Sequence, residues 1–179
     1  MPKTKIKNKN NGFTLVEMLV SLAIFATAVT LVSTIFVSGL KTQRQNLAYQ
    51  QLLGQTSYLI EYISRAIRMA TKDIEGICTG TAKLNYKFES QCLKFRNYKN
   101  ECQQFCLEGT RLKEIKNGIE NYLTSPDLKV NSFVIILTGE TEDDYLQPLV
   151  SLFLEIEGKE QAKIKIKTSL SQRNLDVKH

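Results

Sequence analysis

Between Phe13 and Leu40 the chain is apolar, broken only by Ser, Thr, Gly and one charged residue, Glu17. Such a run exceeds the about 20 residues that cross a bilayer as a helix. Beyond Lys41 the apolar positions thin out but stay periodic. Leu52, Leu59, Ile63, Ile67 and Ala70 recur at steps of three, four or seven, which is one face of a helix. Gln43, Arg44, Gln50, Gln51, Gln55, Glu61, Arg65 and Arg68 mostly occupy the other side. The two patterns join without a break, so they predict one helix from Phe13 to about Ala70, roughly 87 Å long at 1.5 Å per residue. Gly39 and Gly54 fall inside it, each costing about 1 kcal/mol relative to Ala and leaving room for a bend.

From Asp73 the period changes to that of strands. Short runs appear between turn residues: AKLNYKFES, CLKFRNY, QQFCLEG, TRLKEIKNG, VNSFVIILTG, PLVSLFLEIEG and AKIKIKTSL. The last alternates Ile164, Ile166, Thr168 and Leu170 with Lys163, Lys165 and Lys167, the mark of a half-buried strand. Glycines 109, 118, 139 and 158 are expected at hairpin turns, and the SPDL segment (125–128) at a separate turn or a one-turn helix start. The predicted fold is α+β: a long N-terminal helix packed on antiparallel sheet. Four segments follow: a basic leader (1–12), a membrane or filament-core helix (13–40), its amphipathic continuation (41–72) and a β-rich domain (73–179).

Charge changes this picture little. The net charge is +6, but Lys3, Lys5, Lys7 and Lys9 precede the apolar run, and without them the chain holds 20 basic and 18 acidic side chains. That near balance argues against nucleic acid as a general partner. Lysines ahead of an apolar span favour keeping that end in the cytoplasm. A secretory signal peptide is the first alternative, but its apolar region is shorter and carries no charge near its start. A plain signal anchor fits the length and leaves Glu17 unexplained. A carboxylate in such a run costs about 2.5–3.5 kcal/mol near a helix centre and less toward its end.

KNKNNGFTLVEMLVSLAIFA resembles the processing site and N-terminal helix of type IV pilins and of the pseudopilins of secretion and competence systems. The resemblance implies that prepilin peptidase cleaves between Gly12 and Phe13, and that Phe13 is then N-methylated. It implies that Glu17, fifth residue of the mature chain, serves assembly. The new amine of Phe13 and the carboxylate of Glu17 attract strongly in low dielectric, so Glu17 of an incoming subunit is expected to pair with a neighbour's Phe13. Snorkelling of Glu17 to the headgroups is the plainer alternative. The implied partners are other pilin or pseudopilin subunits, the peptidase and methyltransferase, an inner-membrane assembly platform and membrane lipid. The implied location is the bacterial inner membrane, single-pass with the N-terminus cytoplasmic, and then an extracytoplasmic filament. The C-terminal stretch from Gln147 to Asn174 resembles minor pseudopilins of the J type and minor pilins of the W type.

Cys78, Cys92, Cys102 and Cys106 all fall in the part expected outside the cytoplasm, where disulfides are the default for a small sheet domain. Three pairings are open, and Cys78 with Cys92 and Cys102 with Cys106 is simplest by order. A zinc site fits poorly, because no C-x2-C pair occurs, and free buried thiols are the other alternative. No enzyme is expected. His179 is the only histidine, no phosphate-binding glycine motif occurs, and no metal or cofactor is implied. The acidic GETEDDY run (139–145) lacks EF-hand spacing and is expected to be a solvated turn, with calcium as the alternative. A single-span anchor displaying an extracellular binding module is the competing function, and Gly12, Phe13 and Glu17 in register argue against it. DNA uptake would join the two, with Lys163, Lys165 and Lys167 as its slight support.

Overall fold

Apolar side chains at helical spacing and short alternating runs each find the expected element in the computed structural model, which describes residues 12–139, 141 and 146–174. The helix α1 spans Leu15–Arg68 without interruption. Eight strands follow: β1 (Tyr86–Glu89), β2 (Cys92–Arg96), β3 (Cys102–Glu108), β4 (Arg111–Lys116), β5 (Ile119–Tyr122), β6 (Lys129–Thr138), β7 (Leu149–Glu157) and β8 (Lys163–Ser171). They form a five-stranded sheet, β1 to β5 in chain order, and a three-stranded sheet, β6-β7-β8. All pairings are antiparallel. The architecture is the α+β one that the periodicity predicts.

The chain divides into two units, one ending at Gln43 and the other beginning at Arg44. In the second unit, α1 buries Leu52, Thr56, Leu59, Ile63 and Ile67, and Ala70 just beyond it is buried as well. These residues meet Tyr86, Leu93, Phe95, Phe105 and Leu112 of the first sheet, and Val130, Phe133, Val150, Leu152, Leu154, Ile156 and Leu170 of the second. One core therefore unites the helix and both sheets. Fully burying each such side chain is worth about 1.5–3 kcal/mol, so this unit has ample apolar burial to order its loops.

The turns differ from the expectation in one place, at Gly158. Gly109, Gly118 and Gly139 have positive φ, as hairpin glycines do, and Asn117 joins Gly118 at φ 50°. Gly158 does not: its φ is −111°, and Glu160 and Gln161 carry the positive angles of that connection. A Cβ at Gly158 would sit 3.4 Å from Leu52 Cβ, so glycine there permits close approach to α1. SPDL is a turn, in which Leu128 N–H donates to the Ser125 carbonyl at 3.1 Å.

Strand β5 has no counterpart among the predicted runs, because all four residues are exposed and no alternation marks them. A polar cluster holds it instead. Lys113 Nζ bridges Glu108 and Glu120, the Tyr122 hydroxyl donates to Glu108 at 2.9 Å, and the Arg111 guanidinium stacks 3.8 Å from the Tyr122 ring centre. Hydrogen bonds from Lys113 and Tyr122 hold the Glu108 carboxyl below its usual range.

Candidate assembly segment

Gly12, Phe13 and Thr14 precede α1 in non-helical backbone, and Thr14 starts the helix. Its Oγ1 accepts the Glu17 N–H at 3.3 Å, and its carbonyl accepts the Met18 N–H at 3.2 Å. This is an N-cap, and Thr14-Leu15-Val16-Glu17 has the T-x-x-E spacing of a capping box. Glu17 stands in the first turn, where a carboxylate gains about 0.3–1 kcal/mol from the helix dipole and unpaired N–H groups. Part of its cost is thus offset inside its own chain. Thr14 is the residue that a motif reading of Gly12, Phe13 and Glu17 passes over, although its spacing to Glu17 is visible in the sequence.

Every residue from 12 to 47 is exposed, including Phe13 at 77%. The apolar window that is long enough to cross a membrane has none of its residues buried. An apolar surface of this extent is matched to lipid or to other apolar helices. The hydroxyls in it do not oppose that use. Ser21, Thr27, Thr30, Ser33 and Thr34 each donate to a carbonyl three or four residues back, at 2.8–3.0 Å, and so carry no unpaired donor into apolar surroundings.

Residues 7–33 match the family model of the prokaryotic N-terminal methylation motif. Over that stretch the chain is similar to the processing and methylation segment of type IV pilins and pseudopilins. No curated protein and no solved structure matches it. The signature and the long apolar helix fit a membrane-anchored, pilin-like chain. Lys3, Lys5, Lys7 and Lys9, Glu140, residues 142–145 of the acidic run and His179 lie outside the described residues, so the calcium alternative finds no geometry here.

The cysteines correct the pairing by order. The disulfides are Cys78–Cys102 and Cys92–Cys106, with Cα separations of 5.0 and 4.1 Å. Cys102 and Cys106 share β3, and four residues along a strand span about 13 Å, too far for one bridge. Cys92 lies directly opposite Cys106 across the β2–β3 ladder. All four thiols are used, which removes the zinc and free-thiol alternatives. The Cys78 loop is also anchored by Asp73, which is fully buried and accepts the N–H groups of Cys78 and Thr79, both at 2.8 Å. Burial opposes the charge on Asp73, yet the Thr79 and Cys78 N–H groups outweigh it and hold the carboxyl below its ordinary range.

Lys163, Lys165 and Lys167 line one face of β8, as alternation predicts. Lys163 pairs with Glu157 at 3.2 Å, Lys165 pairs with Glu155 at 3.3 Å, and Lys167 Nζ lies 4.9 Å from the Phe153 ring centre. Each lysine meets its partner across the β7–β8 register, so the alternation has a local cause within the sheet.

Proposed function

We propose that the chain is a minor structural subunit of a type IV pilus or of a type II secretion or competence pseudopilus. In this reading residues 1–12 are a leader removed by prepilin peptidase, and Phe13 becomes the methylated N-terminus. Residues 13–40 are the membrane span and later the filament core, and 41–72 continue the helix into the extracytoplasmic domain 73–179. The assembly platform sits in the inner membrane, and the chain enters it with its N-terminus cytoplasmic. The C-terminal resemblance favours a J-type pseudopilin or W-type minor pilin.

The observation that carries this reading is one carboxylate, Glu17, in the first turn of an apolar helix whose membrane-length window has no buried residue among the described ones, shortly after Gly12 and Phe13. An opposite charge from a neighbour's amine offsets its remaining cost only in the assembled state, which selects register. Coexpression with prepilin peptidase, followed by mass spectrometry of the mature N-terminus, tests it. The expected product begins at N-methylated Phe13, and Glu17→Ala is processed but does not enter filaments. A mature chain starting at Met1 or Pro2, or cleaved near Ser38, would leave an anchored or secreted domain instead.

A further inference from the structure

Three arginines line a groove of about 760 Å³: Arg65 and Arg68 from the last turn of α1, and Arg173 from the segment after β8. Backbone bonds fix the meeting. The Arg173 N–H donates to the Arg68 carbonyl at 2.8 Å, and the Gln172 side chain donates to the Ala70 carbonyl at 2.9 Å. Basic residues in a last turn offset the partial negative charge of a helix end, which accounts for Arg65 and Arg68 but not for Arg173. Glu61 pairs with Arg65 at 2.8 Å, and both side chains are about 70% exposed, so that pair is weak and exchangeable. Arg68 and Arg173 form no ion pair with any described residue. Guanidinium forks match carboxylates and other oxyanions bidentately, so the groove is built for negative charge.

What distinguishes the sources of that charge is the other wall, formed by Ser169 and Ser171 of β8. This strand pairs with β7 alone, so alternate N–H and C=O groups along it face away without a backbone partner among the described residues. A free strand edge recognises main chain, which a polypeptide has and a phosphate lacks. We propose that the groove receives an extended acidic segment of another polypeptide, which pairs with the β8 edge and sets carboxylates against Arg65, Arg68 and Arg173. This goes beyond the filament reading and does not depend on it, since nothing in it involves Phe13 or Glu17.

The test uses the full chain in detergent micelles and a fluorescein-labelled ten-residue peptide alternating Glu and Val, followed by anisotropy. The expected result is saturable binding that weakens at least tenfold in the Arg68→Gln/Arg173→Gln double variant. Lys94→Gln, on β2 of the five-stranded sheet, should leave it unchanged. N-methylation of alternate peptide nitrogens should also abolish it, an arm that needs no protein variant and so survives misfolding of the double variant. Equal binding of a peptide with Lys in place of every Glu, or of the N-methylated one, overturns the proposal. Full displacement by millimolar inorganic phosphate also overturns it, in favour of a simple oxyanion site.

Discussion

Tyr62 on α1 donates its hydroxyl to the Glu114 carboxylate on β4 at 2.8 Å, tying the helix to the five-stranded sheet by a charge-assisted bond. Glu114 is only 6% exposed, and the Gln103 amide donates to the same oxygen. Tyr62 also meets Phe105 edge-on, with ring centres 6.2 Å apart. Helix and sheet are therefore joined by a polar contact as well as by the apolar core.

Tyr62→Phe keeps the ring and removes one donor from a buried carboxylate. The loss should be about 1–3 kcal/mol, the cost of under-satisfying such a group. Urea unfolding of the two proteins at pH 7 measures it, and an unchanged midpoint would show that water replaces the phenol.

Alkaline conditions should weaken the domain through two phenols. Burial, then the Glu114 bond and charge, push Tyr62 up to about 12, and burial pushes Tyr86 upward as well. A raised folded-state pKa contributes stability that is complete below the unfolded value near 10 and fades as pH rises through the folded one. Urea midpoints should hold to about pH 10 and then fall, with Tyr62→Phe and Tyr86→Phe each making the decline shallower. Tyr86→Phe should also cost stability at neutral pH, because the Tyr86 hydroxyl donates to the Ile67 carbonyl at 2.8 Å.

Acid should act through Asp73. Its folded pKa is depressed, so its contribution is present above the unfolded value of about 3.9 and is lost as pH falls through the folded one. Asp73→Asn should be less stable than the parent at pH 6 and should lose less on going from pH 5 to pH 2. Parallel acid titrations of the two proteins, monitored by circular dichroism, decide it.

Peptide mapping without reduction should recover Cys78 linked to Cys102 and Cys92 linked to Cys106. The sequence separations are 24 and 14, so chain entropy assigns the two bridges about 3.5 and 3 kcal/mol. Losing the first by Cys78→Ser/Cys102→Ser should therefore cost slightly more than losing the second. Recovery of a Cys102–Cys106 peptide would contradict the placement of both residues on one strand.

Two substitutions separate the tasks of Glu17. Glu17→Gln retains a capping-box side chain but not the charge, and it should be processed yet absent from sheared filaments. Thr14→Val removes the cap and keeps the charge, weakening the helix start by about 1 kcal/mol while filaments still form. Filament entry by the Gln variant would make capping the whole role of Glu17.

The helix was legible because Leu52, Leu59, Ile63, Ile67 and Ala70 are all buried where their spacing places them, and β8 because its alternation matches its two faces. Strand β5 was hidden because side chains at its surface hold it, not a buried face. The turn between β1 and β2 was hidden too, since Ser90 and Gln91 adopt positive φ without the glycine that would announce it. The pairing of the cysteines depends on which strands lie side by side, and linear order carries no such information. The arginine groove draws residues from positions 65, 68 and 173, brought together only by the closing of the domain.

Both disulfides end on β3, at Cys102 and Cys106. When tension is applied along the chain, covalent links route the load from Cys78 straight to Cys102, bypassing β1 and β2. The 24-residue separation would otherwise release about 80 Å of extended chain. The oxidised domain therefore yields little length under pulling, and reduction converts that stored length into slack.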